Sequence, residues 1–156
     1  MKSTLIPSDK FLVSEIGISY NPKVKASDRI QTNQSSDSYK IFYQDWDTNK
    51  IQFVEQFKVM FLNNSNRILG IYEVSTGGTT STVVDVRVVF AAALLANAKK
   101  MILAHNHPSG SLQPSQADIR LTRKMQDAGL LLDIEVVDHI ILTCEGYYSF
   151  VEQGLM

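Results

Sequence analysis

The sequence predicts an α/β domain, a mixed β-sheet flanked by helices, and three observations carry that expectation. Two apolar runs, Phe57 to Leu62 and Arg67 to Val74, meet at the polar cluster Asn63-Asn64-Ser65-Asn66, which is the pattern of a hairpin. A stretch rich in Ala, Leu, Val and Phe from Asp85 to Ala98 leads into the short apolar run Met101 to Ala104, a buried helix followed by a strand. From Ser115 onward a helical pattern gives way to two further apolar runs, Leu132 to Val137 and His139 to Thr143.

Taken in order, residues 1–50 read as an amino-terminal arm, loop and candidate helix, and residues 51–156 as the sheet domain. Ser27 to Ser38 is polar, with Ile30 its one aliphatic residue, and reads as a loop. Tyr39, Ile41, Phe42 and Trp46 then recur at helical spacing behind a cap at Ser36 or Asp37, and such a face packs on a core more often than it meets a partner. After the hairpin, Thr76 to Thr82 is a Gly, Ser and Thr loop that lacks the Lys-Ser/Thr pair needed to cradle phosphates. Asp85 caps the next helix. Met101 to Ala104 shows no polar alternation, so both of its faces are expected to be covered. The helix from Ser115 closes at Gly129. Asp138 separates the two later strands, Glu145-Gly146 makes a turn, and Tyr147 to Phe150 is a last short strand.

Bulk properties exclude several classes. With 156 residues and 44% hydrophobic content the chain supports one core. One cysteine allows no internal disulfide framework, and Cys144, ending the run Ile140 to Leu142, reads as a small buried residue and not as a nucleophile paired with His139. The first apolar stretches are broken by Pro7, Ser8, Asp9 and Lys10, so a signal sequence is not expected and a cytoplasmic location is. No run approaches the roughly 18 apolar residues of a membrane helix, so no membrane partner is expected. Fifteen basic and sixteen acidic residues give a net charge of -1, so there is no bulk drive toward nucleic acid.

The chemistry concentrates in residues 105–118, His-Asn-His-Pro-Ser-Gly-Ser-Leu-Gln-Pro-Ser-Gln-Ala-Asp. His105 and His107 leave a strand two residues apart, which on extended backbone puts both imidazoles on one side with α-carbons roughly 6.5 to 7 Å apart. Pro108 and Gly110 turn the chain, and Asp118 falls in the first turn of the following helix, facing back toward the loop. Two imidazoles and a carboxylate suit one zinc ion with a fourth position open to water. Ser115-x-x-Asp118 is equally a capping box, which would explain both residues without a metal. The letters His-Asn-His at 105–107 match a nuclease motif in spelling only, because that motif's residues are spread over a longer unit.

His105-x-His107, seven further residues, Ser115, two more and Asp118 resembles the metal motif of the JAB/MPN (JAMM) metalloprotease superfamily. His105 to Gly110 with Pro114-Ser115, Asp138 to Ile141 and Tyr148-Ser149 is most similar to the RadC family, over roughly Phe53 to Leu155. The resemblance implies a three-layer architecture like that of cytidine deaminases, one Zn2+ per chain on His105, His107 and Asp118, and a Ser115 hydroxyl that contacts the reacting carbonyl oxygen. It places a catalytic glutamate at the end of an upstream strand, where Glu73 in Ile71-Tyr72-Glu73-Val74-Ser75 matches. Glu55, which precedes a predicted strand, and Glu135, inside one, remain rivals.

The implied activity is that of a zinc metalloprotease: hydrolysis of an amide, peptide or isopeptide, with Glu73 as general base for a metal-activated water. Its partner would be a peptide or protein-conjugate substrate. A metal-bound imidazole needs a second partner for its other N–H, and Asp138 is a candidate. The alternative is a RadC-like DNA-repair or mobile-element accessory protein acting on or near nucleic acid, its metal site structural or of unknown activity. The family name implies repair, whereas the motif implies amide hydrolysis. Longer RadC-like chains carry an amino-terminal DNA-binding helical module that nothing in Met1 to Lys50 matches, and Val86-Arg87 stands where the family tends to have Pro-Arg. Oligomeric state is not legible in the sequence.

Overall fold

Residues 14, 17–78 and 82–156 are described by the computed structural model; the Pro7 to Lys10 break and Thr79 to Ser81 of the Gly, Ser and Thr loop lie outside them. The hairpin forms where the two apolar runs meet: β1 (Gln56–Leu62) pairs antiparallel with β2 (Ile68–Thr76). Asn63 builds the turn by accepting at its Oδ1 from the N–H groups of Ser65 and Arg67, and Asn66 takes the left-handed φ of 57° that asparagine tolerates.

On its other side β1 pairs antiparallel with β3 (Lys100–Asn106), which runs parallel to β4 (Glu135–Leu142), and β5 (Tyr147–Ser149) closes the sheet in the order β2-β1-β3-β4-β5. The parallel β3–β4 pair needs a crossover, and α3 (Gln116–Leu131) supplies it. α1 (Ser35–Asp45) lies on one face of the sheet, while α2 (Val86–Leu95) and α3 lie on the other. The architecture is therefore the mixed α/β sandwich expected from the sequence.

Period-two alternation splits β1 and β3 between two cores. Phe57, Val59, Phe61, Met101 and Leu103 pack with α2 and α3, whereas Met60, Leu62, Ile102 and Ala104 pack with Phe42 of α1 and with Trp46 just beyond its end. Every residue of β1 is buried as a result. The helix read from Tyr39 to Trp46 thus packs on the core and binds the segment 35–45 to the sheet; it starts at Ser35 behind Gln34, with no side-chain cap. Lys58 is the one cation buried in the strand. Its Nζ meets Asp45 Oδ2 at 2.7 Å and lies 4.8 Å from the Trp46 ring centre, so its charge is partnered on the α1 face.

Four expectations are corrected. The runs on either side of Asp138 form one strand, β4, because Asp138 finds buried hydrogen-bond partners and does not have to leave the sheet. Gly129 does not end α3, which continues to Leu131; a Cβ at Gly129 would collide with the Ile134 carbonyl oxygen, so the glycine lets the returning chain lie against the helix. The reversal is made instead by Asp133, with a φ of 55°. Cys144 is exposed in the turn between β4 and β5. The loop read over Ser27 to Ser38 includes the first turn of α1 and a short 3-10 turn, Ala26–Asp28. Among the described residues no helix is long and apolar enough to cross a membrane.

Candidate metal centre

The site is built from the end of β3 through the first turn of α3, His105 to Asp118. His105 is the fifth residue of a fully covered run and is itself buried, and its ring lies nearly parallel to Phe57, its cross-strand partner, at 6.2 Å. His107 has just left the strand. Its N–H still bonds Leu142 of β4, and the Pro108-Ser109-Gly110 turn, closed by Gly110 N–H to His107 O at 2.9 Å with φ +80° at Gly110, folds the Ser111 carbonyl back onto His107 Nδ1 at 2.7 Å. The Nε2 atoms of the two histidines end 3.0 Å apart.

Asp118 arrives from α3. The capping box is fully formed: Ser115 Oγ accepts from Asp118 N–H at 3.1 Å, and Asp118 Oδ2 accepts from Ser115 N–H at 2.6 Å. Capping and metal ligation are therefore not rivals here, because the cap is what turns the carboxylate toward the histidines. Asp118 Oδ1 lies 3.5 Å from His105 Nε2, and Oδ2 lies 3.7 Å from His107 Nε2. The ligand atoms of His105, His107 and Asp118 fall within 4.8 Å of one another, a group that could hold a metal ion.

The hydrogen bonds around these residues decide whether they suit a cation. A carbonyl can only accept, so His107 must donate its Nδ1–H to Ser111 and, when neutral, present a bare lone pair at Nε2. On the other side Thr122 gives its hydroxyl proton to the Asp118 carbonyl at 2.7 Å, so its oxygen accepts from His139 Nδ1–H at 2.6 Å. His139 Nε2 is then the acceptor for His105 Nδ1–H at 2.8 Å, which leaves His105 Nε2 bare as well. Two lone pairs and a carboxylate converge with no proton to separate them. The donor set fits a divalent ion, and soft-to-borderline nitrogen with one oxygen fits zinc.

The brace for His105 is thus His139 and not the expected Asp138. Adjacent strand residues face opposite sides: Asp138 points to the α1 face, accepting from Ser35 Oγ at 2.8 Å and Ser149 Oγ at 2.7 Å, while His139 faces the metal side between Phe57 and Phe150. Burial, reinforced by the neighbouring His105 and only partly opposed by the Asp118 carboxylate, holds the His139 pKa well below its usual 6.5, so it braces as a neutral ring.

The same parity decides among the glutamates. Lys58 lies directly across from Glu73 and faces α1, so Glu73 projects from that side of the sheet also, away from His105. A register shift between Phe57 and Lys58 skips Val74 and fixes this phase. Glu73 is exposed and accepts from Thr76 Oγ1 at 2.7 Å. Glu135 is exposed at the opposite end of β4, beside Lys100. Glu55 shares the parity of Phe57 and lines the same 580 Å³ cleft as His105, His107, Ser115 and Asp118. The upstream acid on the cleft is therefore Glu55, while Glu73, the position that the resemblance matches, lies on the other face of the sheet.

Electrostatics mark the cleft. Burial raises the Glu55 pKa above its usual value, opposed in part by the two histidines and by a backbone hydrogen bond from Thr82, and reinforced by Asp118. Asp118 goes the other way: burial would raise it, but the two imidazoles beside it and its bond to Ser115 hold it well below the usual carboxylate range. Two carboxylates of one cleft are pushed apart, one toward holding a proton and one toward remaining an anion.

A family model described as a RadC-like JAB domain matches residues 32–155. Among curated proteins the chain is 50% identical over 101 residues to a UPF0758 protein of Flavobacterium johnsoniae, covering 65% of this chain and 44% of that one. It is 46% identical over 102 residues to a UPF0758 protein of Salinibacter ruber, with 65% and 44% covered, and 44% identical over 103 residues to one of Symbiobacterium thermophilum, with 66% and 44% covered. The chain spans less than half the length of these relatives.

Proposed function

The chain belongs to the RadC-like JAB domain family, and from that premise we propose that it is a zinc-dependent hydrolase of amide bonds, peptide or isopeptide. The observation that carries the proposal is Glu55 on the wall of the cleft into which His105, His107 and Asp118 direct their bare ligand atoms. Zinc held by those three residues would supply Lewis acidity, making water more acidic and a carbonyl more electrophilic. Glu55 accepts the proton of the attacking water as its oxygen bonds to the amide carbon. The raised pKa of Glu55 suits it to keep that proton and pass it to the nitrogen as the C–N bond breaks, so water is consumed and an acid and an amine are released. Ser115 accepts from Asp118 N–H, and that bond leaves its hydroxyl proton available to the carbonyl oxygen as charge builds there.

The wall of the cleft favours an uncharged amide over a phosphodiester. Among the described residues lining it there is no lysine or arginine, and Phe57, Val84, Ala117 and Leu121 make much of the surface. The test is metal analysis of the purified chain followed by a survey of peptide and isopeptide-linked conjugates. One zinc per chain and cleavage abolished by chelator and restored by zinc are the expected results; a protein that binds no zinc when purified without chelators would end the proposal.

A further inference from the structure

Asn106 stands between the two histidines in sequence but on the opposite face of β3, with none of its surface exposed. The β1–β3 ladder stops one step short of it, at Phe57 opposite His105. Beyond that point the Asn106 side chain takes over the pairing. Its Oδ1 accepts from Gln56 N–H at 2.7 Å, and its Nδ2 donates both hydrogens, to Ile51 O at 2.7 Å and Val54 O at 2.8 Å.

Those bonds fix the amide's orientation, since a flipped group would set its oxygen against two carbonyls. Only an asparagine-sized side chain with two donors and one acceptor satisfies all three. Val54 and Gln56 flank Glu55, so the peptide units on either side of the acid are gripped from β3. From the β2 side Glu55 donates its N–H to Gly78 O at 3.0 Å and accepts at its carbonyl from Gly77 N–H at 2.8 Å. The backbone of Glu55 is held at both edges while its carboxylate is left to the cleft.

We propose that Asn106 is a positioning residue for Glu55. It ties the location of the acid to the strand that carries the metal ligands, so three consecutive residues, His105 and His107 on one face and Asn106 on the other, set both halves of the centre. The proposal rests on Glu55 acting as the general base.

The experiment uses the full chain and its Asn106→Asp and Asn106→Ala variants. In the wild type the Gln56 amide should resist hydrogen exchange as well as the amides inside β1 do. In the variants, exchange at Val54, Glu55 and Gln56 should accelerate while α3 keeps its protection. Zinc affinity should stay within a few-fold of wild type and not drop the about 10- to 100-fold that losing a ligand's own brace produces. Hydrolysis should lose about 100-fold in kcat with KM unchanged, the signature of a displaced catalytic group. A wild-type Gln56 amide that exchanges at loop rates, variant exchange that rises evenly across the molecule, or zinc affinity that falls with kcat would each overturn the proposal. Should the variants fail to fold, the wild-type exchange decides alone. A wild type that cleaves no amide removes the reading of Glu55 as base, whereas the exchange and zinc measurements still decide whether Asn106 sets its place.

Discussion

His139 Nε2 stands 2.8 Å from His105 Nδ1, and His139 is fully buried, so one imidazole of the candidate metal centre is oriented by another imidazole. A carboxylate in that place would bring a second buried charge beside Asp118. A neutral ring sets the tautomer without it, at the expense of needing a partner of its own, which is Thr122.

Thr122→Val keeps the shape and removes the acceptor that His139 Nδ1–H requires. We expect a loss of about 1–3 kcal/mol in stability from the unpaired buried donor, and a zinc affinity lower by about 10-fold because the His105 tautomer is no longer enforced. Denaturant titration and competition with a chromophoric chelator measure the two separately; unchanged zinc affinity would show that the chain of hydrogen bonds does not reach the metal.

Glu55→Gln should retain zinc and lose about 10²- to 10⁴-fold in the rate of amide hydrolysis, the usual share of a general base. Glu73→Gln should leave both unchanged, because its carboxylate serves Thr76 on the far face of the sheet. The reverse pattern in steady-state rates would restore Glu73 and remove Glu55.

Stability of the metal-free protein should peak near pH 6.5. His139, held below its usual 6.5 by burial, contributes stability that is present above that pH and lost as pH falls beneath it, because the unfolded chain takes up the proton first. His107 is opposed by burial, but the Asp118 carboxylate and the Ser111 carbonyl outweigh it and raise its pKa. Its contribution is complete below 6.5 and lost as pH rises through the folded value. Urea midpoints from pH 5.5 to 8 should therefore fall on both sides, and His107→Ala should flatten the alkaline side. A steady gain in stability on acidification from 6.5 would contradict the assignment of His139.

Gly129→Ala should destabilise by about 1–3 kcal/mol, as overpacking does. On helix propensity alone the same change would stabilise by roughly 1 kcal/mol. The sign of the shift in thermal midpoint separates a glycine kept for the approach of Ile134 from one that merely interrupts a helix.

What could be read from the sequence was what lies close along the chain. His105, His107, Ser115 and Asp118 fall within one strand-turn-helix unit, so their spacing determines their geometry, and the hairpin and the α2 cap at Asp85 follow from local turn and cap chemistry. Choosing between Glu55 and Glu73 required knowing which face of β1 each serves. With β1 buried on both sides, no polar alternation exposes that phase, and the register shift at Val74 alters it in β2. His139 was hidden by the break read at Asp138. Read as one strand, Ile134 to Thr143 sets Asp138 and His139 on opposite faces and makes the histidine, in phase with His105 through Leu103, the better candidate brace.

The division of β3 between its two sides also bears on chains that pair their strands wrongly. Sliding β3 by a single residue against its neighbours would invert every side chain at once, turning the imidazoles into the α1 layer and the Asn106 amide out of it. The candidate ligand set and the acid of the cleft therefore come together only in molecules whose sheet has found its correct alignment.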